Sequence, residues 1–142
     1  MATLERAIEI AKKAHEGQID KAGADYIGHT LRVMEMGITE EEKIVGVLHD
    51  VVEDSGWTFE MLEAEGFSAE IIDALKCVTK LSTNENYSDF IDRVMTNTLA
   101  TQVKIKDLID NMDVKRLKTV TDKDIERIHK YMKAYKKLME SV

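Results

Sequence analysis

The sequence predicts an all-α domain, and three observations carry that prediction. The 142 residues contain no proline and only 6% aromatic side chains, while strong helix formers dominate. Apolar residues recur at three- and four-residue spacing along most of the chain. Threonine and serine stand before several of these runs, and glycine stands after some of them. By length the chain is one domain, residues 1–142, large enough to bury a core without disulfides.

The elements follow in order. Thr3 caps a first helix to about His15, with Leu4, Ile8 and Ala11 inward. Gly17 to Gly23 is a short polar turn. Tyr26 to Met36 forms a second helix with Ile27, Leu31 and Met34 as its stripe, and Gly37 stops it. Thr39 caps the third, and Glu42 completes a capping box. Glu40, Glu41 and Glu42 suit the positive end of its dipole. Ile44, Val47, Leu48, Val51 and Val52 carry that helix on to just before Gly56. Thr58 opens a short helix to about Glu65, ended by Gly66. Ser68 caps the next, with Ile71, Ile72, Leu75 and Val78 inward. Residues 82–86 form a loop. Tyr87, Phe90, Ile91, Val94 and Met95 mark another helix, and Leu99 to Met112 one more. Thr121 caps the last. There Ile125, Ile128, Met132, Tyr135 and Met139 make a heptad-like seam, and Lys130, Lys133, Lys136 and Lys137 form a solvated face. The sum is a bundle of seven or eight helices.

Composition excludes several roles. The net charge is −7 with 33% charged residues, and no stretch builds a broad basic face, so duplex nucleic acid is not an expected partner. No 18-residue apolar run is present, so no membrane span is expected. Residues 1–15 carry acids on an amphipathic pattern, unlike a signal or transit peptide. The cytoplasm is the simplest compartment. Cys77 is the sole cysteine, which rules out a disulfide framework and a thiolate zinc site. It reads as a small core residue. An acidic chain can still take a small phosphorylated substrate, because a metal and a few lysines supply local positive field.

The chemistry concentrates in Val47-Leu48-His49-Asp50-Val51-Val52-Glu53-Asp54. Four groups that are costly to bury, His49, Asp50, Glu53 and Asp54, interrupt an apolar stripe. One turn separates His49 from Glu53, and Asp50 from Asp54. Taken alone they are a bound-cation cluster or a solvated helix end. His29, beside Ile27 and Leu31, and Asp107, among Ile105, Leu108 and Ile109, have bland readings too: a satisfied core histidine, and an acid paired with Lys104 or Lys106. Lys104, Asp107 and Asn111 share one helix face. Two imidazoles and two carboxylates from three helices would suit Mn²⁺, Fe²⁺ or Zn²⁺, if they converge.

These residues carry a resemblance. His29, His49-Asp50 and Asp107 match the H…HD…D signature of the HD superfamily of metal-dependent phosphohydrolases. Tyr26-Ile27-Gly28-His29 resembles the Tyr-Ile-x-His of the hydrolase domain in Rel/SpoT-type alarmone enzymes. His49-Asp50-Val51-Val52-Glu53-Asp54 is similar to their His-Asp-x-x-Glu-Asp, and Val78-Thr79-Lys80-Leu81 to their Val-Thr-Lys-Leu. Val103-Lys104-Ile105-Lys106-Asp107 with Asn111-Met112 resembles Val-Lys-Leu-Ala-Asp…Asn-Met, and Ala14-His15-Glu16-Gly17-Gln18 fits as well. The matches keep their order over roughly residues 10–115.

The resemblance implies an all-α HD-type bundle, one divalent ion of the Mn²⁺ type, and hydrolysis of the 3′-pyrophosphate of ppGpp or pppGpp. By position, His29, His49, Asp50 and Asp107 would bind the metal. Glu53 and Asp54 would deprotonate the attacking water or protonate the leaving group. Asn111 would contact the nucleotide, with Lys21, Thr79, Lys80 and Lys104 as further substrate contacts. The chain departs from the pattern at Asp20-Lys21, where two basic residues are usual and the first lies against guanine. It departs again at Leu108, where a basic residue commonly follows the metal acid, and at Asp25 and Thr30, which replace prolines. Asp20 implies looser base selectivity, with Lys21 and Lys104 carrying more of the phosphate contact. The chain is expected to be a small stand-alone hydrolase of a nucleotide, and a homodimer is open to it. The alternatives are an HD hydrolase of another nucleotide, a non-catalytic nucleotide sensor, and a helical interaction module.

Overall fold

A computed structural model describes residues 2–82 and 84–142, so Thr83 in the expected 82–86 loop lies outside the described residues. The described residues form nine α-helical segments and one 3₁₀ turn. They are α1 (Leu4–Ala14), α2 (Ile27–Met36), α3 (Glu40–Leu48), α4 (Val51–Asp54), α5 (Phe59–Ala64), α6 (Ala69–Val78), α7 (Tyr87–Met95), α8 (Thr98–Asn111) and α9 (Asp122–Glu140). The 3₁₀ turn is Val114–Arg116. Counting α3 and α4 as one interrupted rod gives eight, within the expected seven or eight. The single extended pairing among the described residues is an isolated antiparallel bridge, Ile19 with Asp25, which closes the turn before α2.

Side chains start the helices where the sequence said they would. Thr3, Thr39, Thr58 and Ser68 each accept a hydrogen bond from a backbone N–H inside the first turn. Thr121 and Asp124 form a full capping box at α9. The box expected at α3 is only half made. Thr39 accepts from the Glu42 N–H, but the Glu42 carboxylate turns back only to the Thr39 hydroxyl, at 3.3 Å, and not to its backbone N–H, while its other oxygen reaches Lys106 Nζ at 3.4 Å.

α3 is the axis of the bundle. Ile44, Val45, Gly46, Val47 and Leu48 are all buried, and α1, α2, α6 and α8 pack around them. A helix buried on every side needs close neighbours, and Gly46 permits the closest. A Cβ built there would lie 3.2 Å from Met34 Cα and 3.3 Å from Met34 N. Those are backbone atoms that cannot swing away. Gly46→Val is expected to cost about 1–3 kcal/mol of stability, the usual range for overpacking. It should be read as a lowered denaturant midpoint with an unchanged slope. An unaltered midpoint would show that α2 and α3 separate without cost.

Three faces differ from the sequence reading. On α1 the buried residues are Ala7, Ile10 and Ala11, with Leu4 and Ile8 at the core margin, because the two alanines let the α1 backbone settle on α3. On α2 the buried residues are His29, Thr30 and Val33, while Ile27, Leu31 and Met34 only flank the core. The Gly46 contact turns that face inward. On α9 the expected seam is displaced. Ala134 and Leu138 are buried, whereas Ile125, Met132 and Met139 are 45%, 43% and 45% exposed. Tyr131, its ring 6.4 Å from that of Tyr87, fixes the packing on α7. Lys130 is not simply solvated, since its Nζ lies 4.3 Å over the Tyr87 ring. Cys77 is half-buried at the core margin.

The helix expected to run from Thr39 to Asp54 breaks at His49 and Asp50. Asp50 has φ −109° and ψ 1°, outside the helical well. On a straight helix adjacent side chains diverge by about 100°. The break instead brings His49 Nε2 within 3.0 Å of Asp50 Oδ2.

Candidate metal centre

The convergence that the sequence left open is present. One ligand atom each from His29, His49, Asp50 and Asp107 lies within 4.8 Å of the other three. α2 brings His29, the break between α3 and α4 brings His49 and Asp50, and α8 brings Asp107. His29, His49 and Asp107 are buried, and Asp50 is nearly so.

Each donor is held by a partner behind it. His49 Nδ1 donates to the Gly46 carbonyl at 2.6 Å, which leaves Nε2 facing the cluster. His29 Nδ1 lies 2.6 Å from Asp110 Oδ2, and its Nε2 lies 2.8 Å from Asp107 Oδ1. Tyr26 donates its hydroxyl to Asp50 Oδ2. Lys104 Nζ donates to Asp107 Oδ2 at 2.7 Å and Asn111 Nδ2 donates to Asp107 Oδ1 at 3.1 Å. Histidines backed by a carbonyl or a carboxylate, their other nitrogens aimed at a shared pair of acids, are the arrangement a divalent cation requires. The residues present fit such an ion.

The electrostatics agree with the crowding. Burial lowers the His49 pKa, but Asp50 and Asp107 outweigh it and hold the ring well above its ordinary value. Burial likewise opposes His29, and hydrogen bonds with Asp107 and Asp110 reverse it. Burial would raise Asp107, yet Lys104 and His49 hold it well below the usual carboxylate range. Asp50 is brought to about 2 against burial, chiefly by His49. The carboxylates of the cluster therefore stay ionised, as ligands must.

Glu53 and Asp54 occupy the one-turn helix α4, directly after the ligand pair. The Glu53 carboxylate accepts from the Lys80 N–H at 3.3 Å. The Asp54 side chain reaches solvent, but the protein around it, then Asp50 and Glu53, push its carboxyl up to about 6. Gln18 fixes the end of this short helix by donating to the Asp54 carbonyl at 2.8 Å. Its own Oε1 is held by His15 Nδ1 at 2.8 Å. Such a raised carboxyl beside a metal-type cluster is suited to proton transfer near neutral pH.

The other sequence-chosen residues divide between two cavities. One, of about 380 Å³, opens on His29 and is lined by Lys21, Tyr26, Asn111, Arg116 and Tyr131 among others. Burial lowers the Lys21 pKa there, with Arg127 and Lys130 adding to the effect. The second, of about 920 Å³, is lined by Glu53, Thr79 and Lys80. Thr79 has already spent its hydroxyl on the Leu75 carbonyl at 2.7 Å. Lys104 lines neither cavity and is placed on Asp107 instead, the pairing that the bland reading allowed. Leu108 is fully buried in the core.

Two residues of the site escaped the sequence reading. Asp110 accepts from His29, from Arg32 Nε at 2.8 Å and from Arg116 NH1 at 2.8 Å, and these partners bring its carboxyl to about 2 against burial. Arg116, in the 3₁₀ turn, also donates through NH2 to Asp20 Oδ2 at 3.0 Å. An acid three residues beyond Asp107 on the same helix, and a histidine needing an acceptor for its second N–H, were the available signals for Asp110.

No family model matches the chain. It is 31% identical over 128 residues to a probable GTP pyrophosphokinase of Mycobacterium leprae, a match covering 82% of this chain and 16% of that protein. It is 32% identical over 120 residues to a guanosine-3′,5′-bis(diphosphate) 3′-pyrophosphohydrolase of Aquifex aeolicus, covering 77% and 17%. A protein of the same name from Haemophilus influenzae is 33% identical over 116 residues, covering 72% and 17%. The chain thus spans about one sixth of the length of these curated relatives. Among solved structures, one described as a metazoan ortholog of SpoT that hydrolyzes ppGpp superposes with a TM-score of 0.81. That match covers 97% of this chain and 85% of the other at 22% identity, and it shows a shared fold. No helix among the described residues is long and apolar enough to cross a membrane.

Proposed function

Because this chain is homologous to the (p)ppGpp-hydrolase region of the SpoT/Rel proteins, we propose that it is a metal-dependent hydrolase. Its substrate would be a nucleotide 3′-pyrophosphate, with ppGpp foremost. The observation that carries the proposal is the four-donor cluster with a raised carboxyl one turn away. His29, His49, Asp50 and Asp107 would hold one divalent ion, with Mn²⁺ first and Fe²⁺ or Zn²⁺ as alternatives. Bound there, the ion lowers the pKa of a water and offsets phosphate charge.

The chain's own groups do the rest. Tyr26 holds the Asp50 carboxylate and Asp110 holds the His29 ring, so the donors keep their aim between turnovers. Asp54, with Glu53 beside it, takes the proton of the attacking water or returns one to the 3′-oxygen as the phosphorus–oxygen bond breaks. The products are the nucleoside 5′-diphosphate or 5′-triphosphate and pyrophosphate. Asn111 keeps its side-chain oxygen free for the nucleotide, since its nitrogen is committed to Asp107. Lys21 adds positive charge at the mouth of the smaller cavity, and Lys80 adds it at the larger. Lys104 acts on substrate only through Asp107.

A metal-supplemented screen of phosphate and pyrophosphate release across nucleotides, with ppGpp included, tests the reading. Pyrophosphate release from ppGpp that depends on added Mn²⁺ is the expected result. Metal-loaded protein that binds nucleotide and turns over none would replace the hydrolase with a sensor.

A further inference from the structure

One residue lining the smaller cavity is an arginine pinned at both ends of its guanidinium. Arg116 NH1 donates to Asp110 Oδ2 at 2.8 Å and to the Asp110 carbonyl at 3.0 Å. NH2 donates to Asp20 Oδ2 at 3.0 Å. These bonds lie along the plane of the guanidinium. With those donors spent, what Arg116 presents to the cavity it lines is the body of its side chain, and its Nε–H is buried without a partner. Asp20 is equally committed. Its Oδ1 accepts from the Ala22 and Ala24 N–H groups at 2.8 and 3.0 Å, and its Oδ2 is on Arg116. The turn that presents it is bracketed by Gly17 and Gly23 at φ of 79° and 85°, which fixes Asp20 in place. Asp20 is therefore neither a free acceptor for a base edge nor a bare negative charge beside a phosphate.

We infer that Arg116 is the platform on which a nucleotide's base lies, so that this site takes its ligand by stacking on a clamped guanidinium rather than by reading the edge of one base, an inference that rests on the nucleotide reading of the cavity. Guanidinium planes stack on flat π-systems, and any base has a π-face. Tyr131 shares the cavity wall, and Asp110 ties the platform to the ring of His29. Selection then falls on the phosphates, whose acceptors meet the metal site and Lys21. The substrate class is nucleoside bis(diphosphate)s as a group, with guanine and adenine accepted alike.

The test uses metal-loaded protein of residues 1–142 and two nucleotides without a 3′-pyrophosphate, GDP and ADP, followed by calorimetry. Wild type is expected to bind both, with affinities within about fivefold, as stacking without edge readout requires. Arg116→Lys keeps the charge and loses the plane. It should weaken both nucleotides by about tenfold, the scale of one lost stack, with metal content kept. Arg116→Gln, which cannot hold both carboxylates, should move both affinities in the same direction. It serves if the lysine variant does not fold. Binding of neither nucleotide by wild type, a preference for GDP beyond about a hundredfold, or unchanged affinities in Arg116→Lys would each overturn the platform. The hydrolase reading fails separately. Absent turnover of ppGpp with GDP and ADP binding intact removes the reaction and leaves Arg116 in its role.

Discussion

Wild type is expected to purify with a divalent metal and protein carrying His49→Ala with little of it, and the variant is expected to lose turnover by about 10³-fold or more. The estimate follows from a bound cation's contribution of several kcal/mol of charge stabilisation, at 1.36 kcal/mol per decade. His49 is the right position to change. Its Nε2 lies 3.0 Å from Asp50 and 3.1 Å from Asp107, so it touches both acids of the cluster. Its Nδ1 is spent on the Gly46 carbonyl, so no rotation of the ring offers a substitute. The side chain is almost wholly buried, and truncation leaves a cavity. His49→Gln fills most of that space and separates metal loss from collapse. Elemental analysis of protein purified without chelator is the measurement. Equal metal in wild type and both variants would remove the cluster from metal binding.

The second large effect is expected from α4. Glu53→Gln and Asp54→Asn should each keep the metal and lose about 10²-fold or more in turnover, the usual contribution of a positioned acid or base. The two need not be equal. Asp54 is the group that burial, Asp50 and Glu53 push up to about 6, so it holds and releases a proton near neutrality. A group that accepts a proton works in its ionised form, so turnover falls as pH drops through its pKa. A bound cation pulls that pKa down, which puts the acid limb of the profile at or below about pH 6. The limb should vanish in Asp54→Asn. If instead Asp54→Asn turns over like wild type with the limb intact, the proton belongs to another group.

The helices were legible because their signals are local. Caps at Thr3, Thr39, Thr58, Ser68 and Thr121 are settled within one turn, and they stand where the sequence put them. Which face turns inward is a tertiary matter that the helical period alone does not choose. Apolar residues such as Ile125, Met132 and Met139 share a helical period with the true core face of α9, and only the packing of Tyr131 and Leu138 chooses between them. The four-donor set was legible as residues, since each is an odd group on an apolar helix, but its convergence was not. The partners behind it were least visible of all. Asp110 and Arg116 sit in the polar end of α8 and the turn after it, where charged side chains are ordinary. Their importance arises from His29 and Asp20, which are 81 and 96 residues away in sequence.

That distance along the chain has a thermodynamic side. His29 and Asp107 face one another across 78 residues of sequence, with His49 and Asp50 between them. An ion gripped by all four acts as a removable cross-link that closes most of the chain into one loop, and it does so only in the native state. Mass action then adds about 2.7 kcal/mol to the unfolding free energy when free metal stands at 100 times its dissociation constant. For a domain of this length that is a sizeable fraction of total stability. Metal supply would thus govern how long the protein survives in its folded form as well as how fast it works. A chelator should leave behind a chain that melts earlier, with α2, α3 and α8 losing their common fastening at once.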